Sequence, residues 1–556
     1  MKRLKALKTD ASINDYEREI IMLTKTFPLT TPTLHLPIED TGRMWYVKIT
    51  DESTGEQFAE FYLALTERKP DFYCPLHLDA LVGKTVTLSC EDDDVPDTLF
   101  DGIIPGGRIE DRPDLYPGIY REPERQQLHF SSRRGWLNDP NGLVFVNGEF
   151  HMCYQHNPYG PNHGGVNVSW GLAVSPDGVH FREYPDAIRP SDSQTHIASG
   201  SAIVDKDNIS GFGKGTILAT YTALQSSMFN GRKQTAGNRG QILEYSTDGG
   251  FTFNKFPKEP IIPVPMGEGW RDPKLFFTDE GKLCIAVYET FEGKNCVSFY
   301  SSENCVDWKF ESRSPDLYEC PDLFPLPVIE TGERMWVLYG GNGRYLVGEF
   351  KNYHFTPMGN EGFLDYGSAV YAGQTWNSHP ENTARYHIAW MVDHGYAWKY
   401  DKEKNHGVPF AESMSLVCRL ELHKVGEDYR LFRTPTENID KLRCGAESFA
   451  ADTELFVPGD CEFTLPTDND ITVKVGENGF TYERASGKIC FTSGKSYTPK
   501  HADKIKMRVI TDVRSVEFFI ADEVSATFTD AADKKTLHID GAEVSGTKWK
   551  MRGIWA

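Results

Sequence analysis

The chain has 556 residues, with 59 Lys and Arg against 80 Asp and Glu, a formal net charge of −21 and a pI near 5.3. This length exceeds one ordinary core and requires two or three domains, and so acidic a surface repels phosphate backbones and excludes nucleic acid as a partner. No run approaches the roughly 20 apolar residues of a membrane span, so no membrane partner is expected.

The N-terminus, Met1-Lys2-Arg3-Leu4-Lys5-Ala6-Leu7-Lys8, is basic but has no apolar stretch behind it, and Asp10, Asp15, Glu17 and Glu19 follow at once. No secretory signal is expected there. The 11 cysteines are odd in number and scattered, without a CxxC pair or a zinc-like Cys/His spacing. A reducing, cytoplasmic protein is the expectation. Met44–Ile49, Glu60–Leu65 and Leu81–Leu88 are rich in apolar and β-branched residues and predict strands. The acidic run Glu91–Asp94 and the proline-rich Asp111–Pro117 then lead onward. Residues 1–122 are therefore expected to form a small N-terminal β-rich domain.

Five repeats of one design follow. Three open on an acid: Asn138-Asp139-Pro140-Asn141-Gly142, Arg271-Asp272-Pro273 and Glu319-Cys320-Pro321-Asp322. An apolar strand, a turn and a second strand ending on an aromatic come after each. The second strands read Phe150–Tyr154, Ile285–Tyr288 and Met335–Tyr339, and two units without the acid keep them as Ile217–Tyr221 and Tyr386–Trp390. Repeats of about 50–70 residues predict the four-stranded blades of a five-bladed propeller. Ser175-Pro176-Asp177-Gly178, Ser246-Thr247-Asp248-Gly249 and Ser302-Glu303-Asn304-Cys305 echo one another as hairpin turns between outer strands. The propeller is expected over 123–422. Short alternating strands such as Ser515–Ile520 and Ala526–Thr529 then predict a C-terminal β-sandwich over 423–556. The fold class is all-β.

If each repeat starts at the innermost strand, the three acids meet at one end of the central channel. Two carboxyls there can cleave a glycosidic bond, one attacking the anomeric carbon and the other protonating the leaving oxygen. The Asn138–Gly142 turn offers amides that keep Asp139 ionised for attack. Glu319, beside Cys320-Pro321, is the better proton donor. Asp272, beside Arg271, is expected to stay charged and to accept hydrogen bonds from sugar hydroxyls. Gln155, Trp170 and Trp390 accompany the trio. His129, His151, His156, His163 and His196 crowd the first two repeats at spacings that match no ligand set. No metal and no cofactor are expected, and His156 and His163 are placed to touch sugar hydroxyls.

Trp136-Leu137-Asn138-Asp139-Pro140-Asn141-Gly142 with Tyr154-Gln155-His156-Asn157-Pro158 resembles the signature of glycoside hydrolase family 32, the invertases, inulinases, levanases and related β-fructofuranosidases. Ser199-Gly200-Ser201, Trp270–Pro273, Glu319–Asp322 and Tyr371–Thr375 resemble its later motifs in order. The resemblance covers about 125–530. It implies a five-bladed propeller plus sandwich, a retaining mechanism and no metal. It also implies Asp139 as nucleophile, Asp272 as transition-state stabiliser and Glu319 as general acid/base. Asn138, Gln155, Trp170, Ser199, Arg271 and Trp390 would line the fructose subsite.

The sequence departs from the family where the pocket wall is built. Gly165-Val166-Asn167 stands in place of Trp-Gly-Asn, Leu172 in place of a histidine, Ala198 in place of phenylalanine, and Gly367–Gln374 lacks the usual acid. These changes spare the three carboxylates, so the reaction class holds while sucrose is not the default substrate. The reading is a retaining hydrolase that releases terminal fructosyl units from fructo-oligosaccharide, fructan or sucrose. Fructosyl transfer to oligofructosides or difructose anhydrides, and a non-catalytic glycan-binding propeller, are the alternatives.

Overall fold

The computed structural model describes residues 2–6, 20–40, 42–163, 167–190, 195–225, 228–229, 232–233, 237–263, 268–381, 383–392, 407–450, 452–500 and 503–555. Strands dominate them, joined by short turns. No helix is long and apolar enough to cross a membrane.

The N-terminal domain pairs two sheets. One runs Lys2–Ala6, Ile20–Pro28, Thr85–Asp92, Trp45–Asp51, Gln57–Leu63; the other runs Phe72–His77, Thr33–Ile38, Ile104–Gly106. Along Trp45–Asp51 every second residue is buried, the period-two pattern of a strand with one face on a core. Val47, Ile49 and Leu63 from the first sheet meet Leu34, Leu36 and Leu76 from the second in that core.

Five sheets follow in chain order, each opening on a strand near the axis: Gly135–Val146, Thr195–Asp205, Glu268–Phe277, Asp322–Pro327 and Val370–Thr375. The strand expected second in each repeat lies beside its opening strand, from Glu149–Asn157 to Arg385–Met391. Side chains stitch the inner strands into a ring. Gly200 N–H donates to Asn141 Oδ1 at 3.0 Å, Leu275 N–H to Ser201 Oγ at 2.7 Å, and Thr375 N–H to Asp322 Oδ2 at 2.7 Å. Phe145 N–H donates to the Asn377 carbonyl at 2.8 Å and so closes the circle from the fifth blade to the first. On the axis the Lys274 ammonium, fully buried, sits 3.1 Å from Asp322 Oδ2. Removing one partner of such a pair leaves an uncompensated buried charge, which costs about 3–5 kcal/mol.

The outer hairpins share one local chemistry. Asp177 Oδ1 accepts from the Val179 and His180 amides, and Asp248 Oδ1 from Phe251 and Thr252. Asn304 Oδ1 does the same for Val306 and Asp307. The left-handed turn position is Gly178 in one copy but Cys305, at φ 61°, in another.

The fifth blade continues through Cys418–Val425 and Asp428–Pro435, which pair in its sheet. The propeller therefore runs past residue 422, the expected boundary, to Pro435. An outer blade hairpin alternates like a sandwich strand, so periodicity alone does not separate the two. Beyond it, two six-stranded sheets face each other over Phe463, Val473, Phe480, Val509, Phe518 and Phe528.

The sandwich is fastened to the chain just before the first blade by a buried ion cluster. Asp512 accepts from the Gln127 and Leu128 amides and lies 2.8 Å from His129 Nδ1, while Glu517 lies 3.5 Å from Nε2. Burial alone would depress this imidazole, but the two carboxylates outweigh it and raise its pKa from 6.5 to about 9. A pKa raised in the fold contributes stability fully below about 6.5 and loses it as pH rises through about 9. The contribution is about 3 kcal/mol. The urea midpoint of the wild type should therefore fall between pH 7 and 10, and that of His129→Gln should lie lower at neutral pH and change less over this window. Parallel midpoint profiles would contradict the assignment.

Candidate active site

Backbone irregularities aim the acids. The inner strands break register with their neighbours where motif residues stand: against Tyr154/His156 in the first sheet, at Ile197/Gly200 in the second, at Arg271/Lys274 in the third and at Tyr371/Gln374 in the fifth. Such bulges turn side chains away from the regular alternation. Asp272, Glu319, Cys320 and Ala372 hold φ values of 61°, 51°, 40° and 51°. Each left-handed non-glycine residue costs on the order of 1 kcal/mol or more. Four of them gathered at one place mark a site where geometry has been kept against local preference.

The structure brings Asp139, Asp272 and Glu319 together around one thiol. Cys320 Sγ lies 3.5 Å from Asp139 Oδ2 and 3.6 Å from Asp272 Oδ2, and the Cys320 amide donates to the same Asp272 oxygen at 3.1 Å. Arg271 spans the other two acids, donating from Nη2 to Glu319 Oε1 while its Nε stands 3.7 Å from Asp272 Oδ2. Tyr371 donates its hydroxyl to Glu319 Oε2. Asp139 accepts from Ser199 Oγ at 2.6 Å and from Asn138 Nδ2 at 3.2 Å.

The electrostatics follow from crowding. Burial is the main cause that raises the Asp139 pKa, against the hydrogen bonds from Ser199 and Asn138. Burial also drives Asp272 up to about 7, opposed by Arg271 and reinforced by Glu319 and Asp139. Arg271 is the strongest influence toward the ionised form of Asp272, and burial works against it. The guanidinium gives its hydrogen bond to Glu319 and stacks 4.6 Å over the Tyr288 ring, while its Nε stays within ion-pair distance of Asp272. Asp139 and Asp272, both raised chiefly by burial, favour their protonated forms more than either acid would in water.

The remaining expected residues divide. Asn138 and Ser199 touch Asp139, and Arg271 touches Glu319. Gln155 is one step away, its Nε2 donating to the Ile197 carbonyl at 2.8 Å and its Oε1 3.1 Å from His196 Nε2. Trp390 is 5% exposed with its ring 6.4 Å from that of Tyr371. Trp170 is a correction. It is 0% exposed, donates to the Ala198 carbonyl and packs on Tyr221, so it braces the first two blades and presents no face to a sugar. His156 is another, because Asp186 and the Arg134 carbonyl occupy both ring nitrogens at 2.8 and 3.0 Å. His163 keeps a partly open position, with its ring 5.2 Å from His196. Among the described residues no group of His, Cys, Asp and Glu could hold a metal ion.

Sequence reasoning assigned no role to Tyr371, to the Cys320 thiol, or to Thr222, whose Oγ1 accepts from the Asp272 amide at 3.0 Å. Tyr371 and Cys320 stand inside motifs that were legible; Thr222 carries no such mark.

The sequence profile of the glycosyl hydrolases family 32 N-terminal domain matches residues 129–435. The chain is similar to the levanase of Bacillus subtilis (strain 168), 30% identical over 461 residues, which are 72% of this chain and 65% of that protein. It is likewise 31% identical to an extracellular exo-inulinase of Aspergillus awamori over 365 residues, 58% of this chain and 66% of that one. The chain thus spans slightly less than two thirds of the length of these relatives. Crystal structures of exo-inulinase from Aspergillus awamori and of fructan 1-exohydrolase IIa from Cichorium intybus share the fold. Their TM-scores are 0.67 and 0.62 at 24% and 20% identity, covering 78% of this chain in both cases and 100% and 98% of theirs.

Proposed function

The chain belongs to glycosyl hydrolase family 32, and from that premise we propose that it is a retaining β-fructofuranosidase acting on fructosides. The observation that carries this reading is the convergence of Asp139, Asp272 and Glu319, from three blades, on the two sides of Cys320 and Arg271. Asp139, fixed by Ser199 and Asn138, attacks the anomeric carbon while the bond to the leaving oxygen breaks and Glu319 supplies that oxygen's proton. A covalent fructosyl-Asp139 ester results. Glu319 then takes a proton from water as the water attacks the same carbon and Asp139 leaves, so the configuration is retained. Asp272, the least accessible of the acids, accepts hydrogen bonds from fructosyl hydroxyls as positive charge develops.

The Arg271 and Tyr371 bonds to Glu319 belong to the free site. A bound sugar whose hydroxyls engage Arg271 takes up that donor and frees the Glu319 carboxyl to address the leaving oxygen. Levanase, exo-inulinase and invertase are the names of relatives of this chain, and fructans, oligofructosides and sucrose are accordingly the substrate classes proposed. Purified protein should release free fructose from at least one of sucrose, inulin, levan or short oligofructosides. Accumulation of longer oligomers or difructose anhydrides at high substrate would favour transfer, and no release from any of them would refute the reading.

A further inference from the structure

The N-terminal domain reaches the loop that leaves the second strand of the first blade. Gln57–Leu63 is the edge strand of its sheet, and an edge leaves backbone groups without a ladder partner. Asn167 supplies one from the propeller side. Its Oδ1 accepts from the Tyr62 amide at 3.1 Å, and its Nδ2 donates to the Tyr62 carbonyl at 2.6 Å. A side-chain amide thus imitates the peptide group of a neighbouring strand, with both bonds buried. Four residues before His163, Tyr159 inserts into the N-terminal core with its ring 5.1 Å from that of Phe61. Asn157 closes the turn between them, accepting from the Tyr159 amide at 3.2 Å and donating to the Asn162 carbonyl at 2.8 Å.

The other end of this segment faces the acids. The His163 ring lies 6.3 Å from Trp136 and 5.2 Å from His196. Trp136 Nε1 donates to Asn138 Oδ1 at 2.9 Å, and Asn138 in turn donates to Asp139 at 3.2 Å. His196 meets Gln155 at 3.1 Å. Contacts run from the N-terminal edge strand through Phe61, Tyr159 and His163 to the carboxylate proposed as nucleophile, and Asn167 lines one small cavity with Asn157, Tyr159 and Asn162.

We propose that Asn167 is a positioning residue, through which the N-terminal domain fixes the Asn157–His163 wall of the fructoside site and thereby sets how tightly a fructoside is held. The inference rests on the fructosidase reading for its kinetic consequence, but not for its structural one. The Asn157–His163 wall is held on its N-terminal side by two contacts of the propeller with the edge strand. These are the paired hydrogen bonds of Asn167 to Tyr62 and the Tyr159 ring against Phe61.

The test is Asn167→Ala in the full chain, with Asn167→Asp alongside. The carboxylate keeps the acceptor for the Tyr62 amide and loses the donor to its carbonyl. Losing two buried hydrogen bonds should raise KM for fructosides about ten-fold with kcat within about two-fold, and Asn167→Asp, which sets a carboxylate oxygen against the Tyr62 carbonyl, should raise it at least as much. Hydrogen exchange read on the same proteins should quicken in peptides covering 157–163 and 136–141, and remain as in wild type in the C-terminal sandwich. If Asn167→Ala does not fold, Asn167→Ser, whose hydroxyl leaves no buried charge, carries both measurements. An unchanged KM, a fall in kcat at constant KM, or unchanged exchange over 136–141 would each overturn the proposal. If the wild type cleaves no fructoside, the fructosidase reading fails on its own and the exchange result alone decides this one.

Discussion

Asp139→Asn should reduce fructoside turnover by about four orders of magnitude or more, because an amide cannot form the ester assigned to this position. The amide fills the same volume, its oxygen can accept from Asn138 and its NH2 can donate to Ser199 Oγ, so the inner strand that carries it keeps its shape. Stability should hold or rise slightly, since a carboxylate whose pKa is raised by burial is an unfavourable charge in the fold. The checks are kcat on the best substrate and the thermal midpoint of the same preparation. Residual activity within about a hundred-fold of wild type, after excluding deamidation back to Asp, would remove Asp139 from the nucleophile's role.

The second large effect is expected at Glu319. Glu319→Ala should lower kcat by about 10²–10⁴-fold on natural fructosides, the usual worth of a positioned acid. The loss should shrink sharply on an aryl fructoside, whose leaving group needs no proton. Breakdown of the ester then becomes slow, because the base that activates water is also missing, and a burst of aryl alcohol should precede a slow steady state. Azide in the buffer should restore turnover and yield a fructosyl azide of retained configuration. An equal loss on natural and aryl substrates would point to a structural role instead. Arg271 and Tyr371 both donate to Glu319 and fix its carboxyl beside the other two acids.

How much of this was legible depended on how local the cause was. The outer hairpins were readable because Asp177, Asp248 and Asn304 organise their own turns through bonds to amides two to four residues on. The second strands were readable because each is buried on both faces and so spelled as a continuous apolar run ending in an aromatic. The acids were readable because each opens a repeat whose first strand lies at the axis. What could not be read depended on the third dimension. Trp170 sits in a motif that names a sugar-facing ring, yet the space left beside Gly142 and Tyr221 takes the indole into the blade interface. Arg271 precedes Asp272 in the chain, but the bulge at that point swings its guanidinium toward Glu319. The clamp on Tyr62 joins residues 105 apart, and nothing in either segment announces the other. The limit at residue 422 failed for a plainer reason, because an outer blade strand and a sandwich strand have the same period.

The claim on which the rest depends is that the fructosyl group passes through an ester on Asp139. Glu319→Ala mixed with an activated aryl fructoside, quenched in acid during the steady state and digested, tests it directly by mass spectrometry. The account predicts a peptide heavier by one anhydrohexose, with fragmentation placing the sugar on Asp139. An adduct on Asp272, or burst kinetics with the sugar on no carboxylate of this cavity, would contradict it.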